Sequence, residues 1–219
     1  RFEHYDFLLA LSSGFGGIGL EHHRSTEVSQ SPAFFRAWDE DLGSREVLAH
    51  DETHGDPAVR VALVAELARA TGAHGMVGGQ MLDLLAEQQA GERSIGAITR
   101  LQRLKTGALI SFSCTAGAVL GKASEPMRAA LSAFAHDLGL AFQITDDLLD
   151  VEGNVVELGK TPGKDVEAGK ATFVSILGVE RARAQAGLLA RQAAAHLDSF
   201  GEAADLLRQA ARFVVARRA

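Results

Sequence analysis

From about residue 57 onward, apolar side chains recur at helical spacing. Asp56 followed by Pro57 is typical of a helix start, and the apolar positions from 59 to 70 keep a helical period up to Gly72. No segment shows the sustained alternation of a half-buried strand. The pattern therefore predicts an all-α protein, with further helices over about 75–89, 95–120, 126–151, 180–198 and 202–217.

Two stretches do not fit this pattern. Residues 153–170 carry four glycines and three lysines, which predicts a long loop between the fourth and fifth helices, and loops of that length are often functional. Residues 1–45 are aromatic and broken by glycine, and they give no assignable period. We expect one domain over 1–219, with the first 44 residues poorly matched to the rest.

The fourth predicted helix carries a stripe of polar side chains on an otherwise apolar surface. At about 100° per residue, one sector holds Gly139, Gln143, Asp146, Asp147 and Asp150. A helix that is apolar on its other sides packs against neighbours, so its acids look inward. Three carboxylates at i, i+1 and i+4 repel one another unless a cation neutralises them, and Mg²⁺ prefers such oxygen ligands. The alternative is a solvated acidic patch, which the helix dipole disfavours at a C-terminal end.

A lysine occupies the centre of the apolar stripe of the third predicted helix. The stripe surrounding Lys105 consists of Ile98, Leu101, Ala108, Leu109 and Phe112. Lys105 can snorkel to the rim with its stem on apolar surface, or it can reach an anion in a pocket with Thr106 as a neighbouring donor. The inward aspartates favour the second interpretation.

Other polar groups point the same way with less force. Lys160, Lys164 and Lys170 lie in the glycine-rich loop, where point charges on flexible backbone suit a diphosphate, although a solvated loop explains them too. In the second helix, Gln80, Asp83 and Glu87 share a face after Gly78-Gly79, and the glycines would allow close helix approach. A plain polar face explains that spacing equally well.

Composition narrows the possible partners. The net charge of −6 offers no basic field for nucleic acid, and no apolar run reaches the ~18 residues of a membrane span, so we expect neither partner. Cys114 is the one cysteine and lies in an apolar stretch, which predicts a buried, inert thiol and favours a reducing cytoplasm.

Two other motifs carry little weight. Residues 14–19 (GFGGIG) satisfy the dinucleotide-binding spacing, with Asp39 twenty residues later, but no helix-forming run or βαβ unit follows. His50 and His54 stand at i, i+4, and one pair without a third ligand is more often surface than zinc.

Several segments together are similar to a known family. Residues 140–151 (LAFQITDDLLDV), followed by 158–160 (LGK) and 169–172 (GKAT), resemble the second aspartate-rich region of the trans-type isoprenyl diphosphate synthases. Residues 75–84 (GMVGGQMLDL) and 104–110 (LKTGALI) precede them in the family's order. These motifs most resemble those of the bacterial short-chain farnesyl and geranylgeranyl diphosphate synthases. The resemblance runs from about Arg45 to the C-terminus.

The resemblance implies a bundle of mostly antiparallel helices around a central cavity, the isoprenoid synthase fold, usually as a homodimer. It implies Mg²⁺-dependent head-to-tail condensation of isopentenyl diphosphate with an allylic diphosphate, with farnesyl diphosphate favoured as product and geranylgeranyl diphosphate next.

Positions that match the family's motifs receive its roles. The magnesium ligands would be Asp146, Asp147 and Asp150. The allylic diphosphate would be held by Lys105, Lys160 and Lys170, and Thr106 and Gln143 would line the path of the developing carbocation. Gln80 and Asp83 would support the metal-bound waters, and Phe142 would belong to the substrate-binding surface.

The sequence also departs from the family. A first aspartate-rich motif with an arginine pair is expected upstream of Arg45, where Asp39-Glu40-Asp41 lacks the spacing, and an early Gly-Lys-Arg motif is missing. Either the sequence omits segments or the protein is a catalytically inactive relative that binds and modulates a partner subunit. A class I terpene cyclase is a further alternative, which would not need Lys105-Thr106 and Lys160 together.

Overall fold

The computed structural model describes residues 48–88, 94–158 and 172–217. Within these ranges the chain is helical without a strand, which confirms the predicted all-α class. The helices are α1 (Pro57–Thr71), α2 (Met76–Gln88), α3 (Ile95–Gln102), α4 (Ala108–Leu120), α5 (Glu125–Leu158), α6 (Phe173–Leu177), α7 (Val179–His196) and α8 (Asp205–Ala216). A π-helical turn, Arg103–Gly107, joins α3 to α4, and a 3₁₀ segment, Asp198–Ala204, precedes α8.

Helix α1 begins and ends at the predicted signals. The Asp56 side chain accepts a hydrogen bond of 2.8 Å from the backbone N–H of Ala58, and Pro57 supplies the first turn. At the other end, the N–H of Gly72 donates to the carbonyl of Ala68 at 3.0 Å. Local chemistry therefore fixes both ends of α1.

The predicted third helix is wrong in one respect, because it is interrupted. Residues Arg103–Gly107 form a π turn between α3 and α4. A π turn holds more residues than an α turn, so it changes the direction of the side chains within it. The helical period, which is constant in a sequence wheel, could not anticipate this change at Lys105.

The prediction that a loop begins at residue 153 is also wrong. The chain is helical as far as Leu158, since one glycine at 153 weakens a helix without ending it. The sequence also missed α6, which is only five residues long and depends on a capping box in which Thr172 and Ser175 bond each other's backbone. The last helix starts at Asp205 instead of residue 202, because the 3₁₀ segment contains Gly201 at φ +57°.

The long helix α5 lies at the centre of the packing. Its C-terminal half joins α3, α6, α7 and α8 through a buried cluster that includes Ile98, Ile144, Leu148, Phe173 and Leu189. Its N-terminal half joins α4, α7 and α8 through a second cluster that includes Ile110, Leu131, Phe134, Leu197 and Ala211. A third cluster, of Leu48, Leu63, Leu67, Phe112 and Ala116, packs α1 on α4. The carboxylates of α5 are therefore carried on a helix that takes part in two of the three clusters.

Cys114 lies in the second cluster, as predicted for an inert thiol. Its side chain is buried, and burial raises the pKa of the thiol to about 12. No helix in the described ranges combines the length and apolar character needed to cross a membrane.

Gly79 brings α2 against the π turn. A Cβ on Gly79 would lie 2.3 Å from the backbone nitrogen of Lys105 and 2.6 Å from its Cα. These are backbone atoms, which cannot turn aside as a side chain can. The close approach predicted from the glycine pair therefore occurs at Gly79, and it sets the distance between α2 and Lys105.

We predict that Gly79→Ala lowers the free energy of unfolding by about 1–3 kcal/mol, as overpacking typically does, because α2 must move away from the π turn. Gly187→Ala is the matched control: it adds the same methyl group inside α7, where the nearest described neighbour is the flexible tip of Arg191 at 3.5 Å. That variant should be neutral or gain up to about 1 kcal/mol. Urea denaturation of both variants measures the difference, and equal stabilities would contradict the close approach.

Candidate active site

The π turn crosses α5 at a pair of glycines. A Cβ on Gly139 would lie 3.5 Å from the Cα of Gly107, so the two backbones approach closely at this point. One turn further along α5, the hydroxyl of Thr106 donates to Oε1 of Gln143 at 3.1 Å. The crossing therefore joins two of the predicted site residues directly.

Lys105 points from the same turn toward α2. Its ammonium group donates to Oδ2 of Asp83 at 2.6 Å, and the side chains are only 15% and 7% exposed. The lysine therefore does not snorkel to the rim, and it is held by a nearly buried carboxylate. Gln80, one turn before Asp83 on α2, is half-buried and has no side-chain hydrogen bond within the described ranges.

Asp147 is the most enclosed of the three predicted metal ligands. It accepts a 2.9 Å hydrogen bond from the backbone N–H of Phe173, at the first turn of α6. Burial raises the pKa of Asp147 to about 6, against the opposing effect of hydrogen bonds from Phe173 and Gln143. Hydrogen bonds thus connect Thr106 in the π turn to Gln143 on α5, and Gln143 to Asp147 one turn later.

Asp146 faces a different partner, Arg217, just beyond the end of α8. The guanidinium Nη2 donates to Oδ1 of Asp146 and, at 3.4 Å, to the carbonyl oxygen of Phe142. The guanidinium carbon also lies 4.1 Å from the centre of the Phe142 ring. Burial raises the pKa of Asp146, and the charge and hydrogen bond of Arg217 oppose that rise.

Asp150 is exposed, and its negative charge contributes to raising the pKa of both Asp146 and Asp147. In the described part of the chain, no three acidic, histidine or cysteine side chains converge to hold a metal ion. The structure therefore places the three predicted ligands on one helix, with Asp146 and Asp147 turned to different partners.

The remaining candidates have simple outcomes. Lys160 and Lys170 lie outside the described residues, as do Lys164 and the acids at 39–41. His50 and His54 do not form a metal pair, because Nδ1 of each accepts a local backbone N–H, at 3.3 Å and 3.0 Å. Both hydrogen bonds lie within turns of the chain that precede α1.

The sequence missed Arg217 and the backbone of Phe173. Neither lies within a motif, and each is more than twenty residues from its aspartate, so helical spacing carries no signal for either. The sequence indicated only that buried carboxylates must have partners. It did not indicate which residues those partners are.

The α5 carboxylates fit magnesium chemically. They supply hard oxygen donors, and their burial and mutual repulsion raise the pKa values of Asp146 and Asp147, a cost that a cation would remove. Asp146 and Asp150 remain accessible to an entering ion. With carboxylates, a paired lysine and a Thr–Gln contact on neighbouring helices, the site is of the kind that binds metal and anionic substrate together.

The comparisons with known proteins agree with this class. The profile of the polyprenyl synthetase family matches residues 49–209. The chain belongs to the polyprenyl synthetase family.

Individual members of the family are similar to parts of this chain. The chain is 40% identical over 167 residues, 76% of its length, to a dimethylallyltranstransferase of Fischerella ambigua, of which it covers 48%. It is 43% identical over 128 residues, 58% of its length, to the farnesyl diphosphate synthase of Escherichia coli, of which it covers 42%. The chain thus spans about half the length of the curated relatives it matches.

Solved structures share the fold. The apo FPP/GFPP synthase of Zymomonas mobilis is 48% identical with a TM-score of 0.68, over 78% of this chain and 55% of that one. A Helicobacter pylori geranyltransferase complexed with magnesium and isoprenyl diphosphate is 29% identical with a TM-score of 0.62, over 89% of this chain and 63% of that one. The predicted family resemblance and the all-α isoprenyl synthase fold are confirmed.

We predict that Lys105→Met lowers the free energy of unfolding by about 3–5 kcal/mol, because it removes the ammonium group that is paired with the buried Asp83 carboxylate. Arg69→Met is the control, since it breaks the exposed pair of Arg69 with Glu66 on α1 and should cost less than about 1 kcal/mol. Denaturant unfolding measures both. A loss as small for Lys105 as for Arg69 would show that the buried pair contributes little to the fold.

Proposed function

We propose that the protein condenses isopentenyl diphosphate head to tail with an allylic diphosphate, in a magnesium-dependent reaction that yields a short-chain prenyl diphosphate. Farnesyl diphosphate is favoured as product, and geranylgeranyl diphosphate is next. The observation that carries the proposal is the contact between Thr106 and Gln143, beside Lys105 and one turn from the carboxylates of α5. The named relatives, a dimethylallyltranstransferase and a farnesyl diphosphate synthase, support the same reaction class.

The residues divide the work of this reaction. Asp146, Asp147 and Asp150 would hold Mg²⁺, which when bound neutralises the charge that develops on the departing diphosphate. Lys105 keeps further N–H donors beyond the one that Asp83 accepts, so its ammonium can bind a diphosphate oxygen while Asp83 fixes its position. Lys160 and Lys170, outside the described residues, stay predicted to bind the same group.

Bond changes in the proposed reaction balance without a protein base. The allylic carbon–oxygen bond breaks and its electron pair leaves with the diphosphate, and the double bond of isopentenyl diphosphate then attacks the allylic cation to form the new carbon–carbon bond. The released diphosphate takes the proton that is lost. The Thr106 hydroxyl and the Gln143 amide would stabilise the cation by their oxygens, and the ring of Phe142 would border the substrate.

Three further properties are part of the proposal. Gln80 and Asp83 would support the metal-bound waters from α2. The resemblance implies a homodimer, and α2 presents exposed apolar side chains, Val77, Met81, Leu84 and Leu85, that a second chain could cover. A cytoplasmic location stays a prediction supported by the single cysteine.

The direct test gives the 219-residue chain isopentenyl diphosphate with dimethylallyl, geranyl or farnesyl diphosphate, with Mg²⁺ or with a chelator. We expect a longer prenyl diphosphate only with Mg²⁺, detected by mass spectrometry. If no allylic partner is extended, the proposed activity is wrong for this chain. A gain in product when the chain is mixed with an active synthase subunit would instead favour the modulating relative.

We predict that Asp146→Ala lowers turnover about a hundredfold or more while the helical circular dichroism is unchanged, because a group that stabilises the departing diphosphate is lost. Asp198→Ala is the control, since Asp198 is an exposed aspartate before α8. Its turnover should match that of the native chain. Unchanged turnover in Asp146→Ala would refute the metal role of that residue.

A further inference from the structure

Arg217 combines features that its place at a helix end does not require. Its backbone N–H donates to the carbonyl of Phe213 at 2.9 Å and ends α8, and a cation there is favoured by the helix dipole. That effect needs no contact with another helix. The side chain nevertheless reaches α5, where one Nη2 atom bonds both the carbonyl of Phe142 and the carboxylate of Asp146.

Burial makes the contact specific. The Arg217 side chain is 14% exposed, whereas Asp146 keeps 34% of its side-chain surface. The guanidinium is thus enclosed against Phe142, while the carboxylate remains open to an entering ion. In addition, Nε of Arg217 is buried and has no hydrogen-bond partner among the residues that the structure describes.

The charges explain what Arg217 does there. Asp146, Asp147 and Asp150 lie within about one turn, and repulsion from Asp150 contributes to raising the pKa of the other two carboxyls. A cation beside a carboxylate in such surroundings offsets the repulsion and the cost of burial even when no metal is present. Arg217, 71 residues further along the chain, supplies this positive charge to Asp146.

We propose that Arg217 is a positioning residue of the metal site: a tethered cation that holds Asp146 while the site contains no metal and that Mg²⁺ must displace. The proposal rests on the proposed function, because it takes Asp146 as a metal ligand. A ligand that must first break an internal contact binds with an affinity reduced by the stability of that contact. Arg217 therefore sets the Mg²⁺ concentration at which the site fills.

The test is Mg²⁺ titration by isothermal calorimetry on the native chain and on Arg217→Gln, with no substrate present. We expect Arg217→Gln to bind Mg²⁺ about tenfold more tightly, since the competing cation is gone. Arg217→Lys keeps a cation without the planar fork, so its affinity should fall between the two. Arg69→Gln is the matched control: it removes the same charge from an exposed pair on α1 and should leave Mg²⁺ affinity unchanged.

The native chain offers a second readout that does not depend on a variant that folds. Displacement of Arg217 frees the end of α8, so amide hydrogen exchange of the segment containing residues 205–217 should become faster when Mg²⁺ is added. An ion that binds without moving Arg217 would leave this exchange unchanged or slower, and that result would overturn the proposal.

The outcomes separate the two claims. Mg²⁺ binding with equal or weaker affinity in Arg217→Gln would overturn the role of Arg217 and leave the metal site intact. No Mg²⁺ binding in any variant would refute the metal site itself, and the Arg217 proposal with it.

Discussion

The structure depends on giving a partner to each carboxylate that its helices enclose. Asp83 has the ammonium of Lys105, Asp147 has the N–H of Phe173, and Asp146 has the guanidinium of Arg217. An enclosed carboxylate without a partner costs several kcal/mol, so these contacts constrain which helices can lie beside α5 and α2. The same carboxylates are the groups that the proposed reaction needs, so packing and chemistry share one set of side chains.

Glycine makes that arrangement possible at one point. Gly79 lets α2 approach the backbone of Lys105, whereas at the crossing of the π turn over α5 a Cβ on Gly139 would only reach van der Waals contact with Gly107. The π turn then directs Lys105 to α2 and Thr106 to α5 from adjacent positions. Two neighbouring residues therefore contact two different helices.

The features that could be predicted from the sequence are those that depend on local spacing and on short motifs. Helical spacing identified the all-α class and the buried position of Asp147, but the prediction that all three acids look inward is wrong for Asp150, which is exposed. The family motifs identified the family, and they named Thr106, Gln143 and Lys105 as site residues whose roles stay predictions. The sequence could not predict the π turn, because a constant period was assumed, or α6, whose five residues depend on a capping box. It missed Arg217 because an ion pair across 71 residues depends on how α8 packs on α5. Lys160 and Lys170 lie outside the described residues, so their roles stay predictions.

The proposed metal site consists of the α5 carboxylates, and its resting counter-ion is Arg217. A crystal structure of the chain grown with Mn²⁺ and inorganic diphosphate tests it most directly, because anomalous scattering locates the ion. We expect Mn²⁺ bound by Asp146 with Asp147 or Asp150, and Arg217 displaced from Asp146. Mn²⁺ bound elsewhere, or Arg217 still paired with Asp146 beside a filled site, would contradict it.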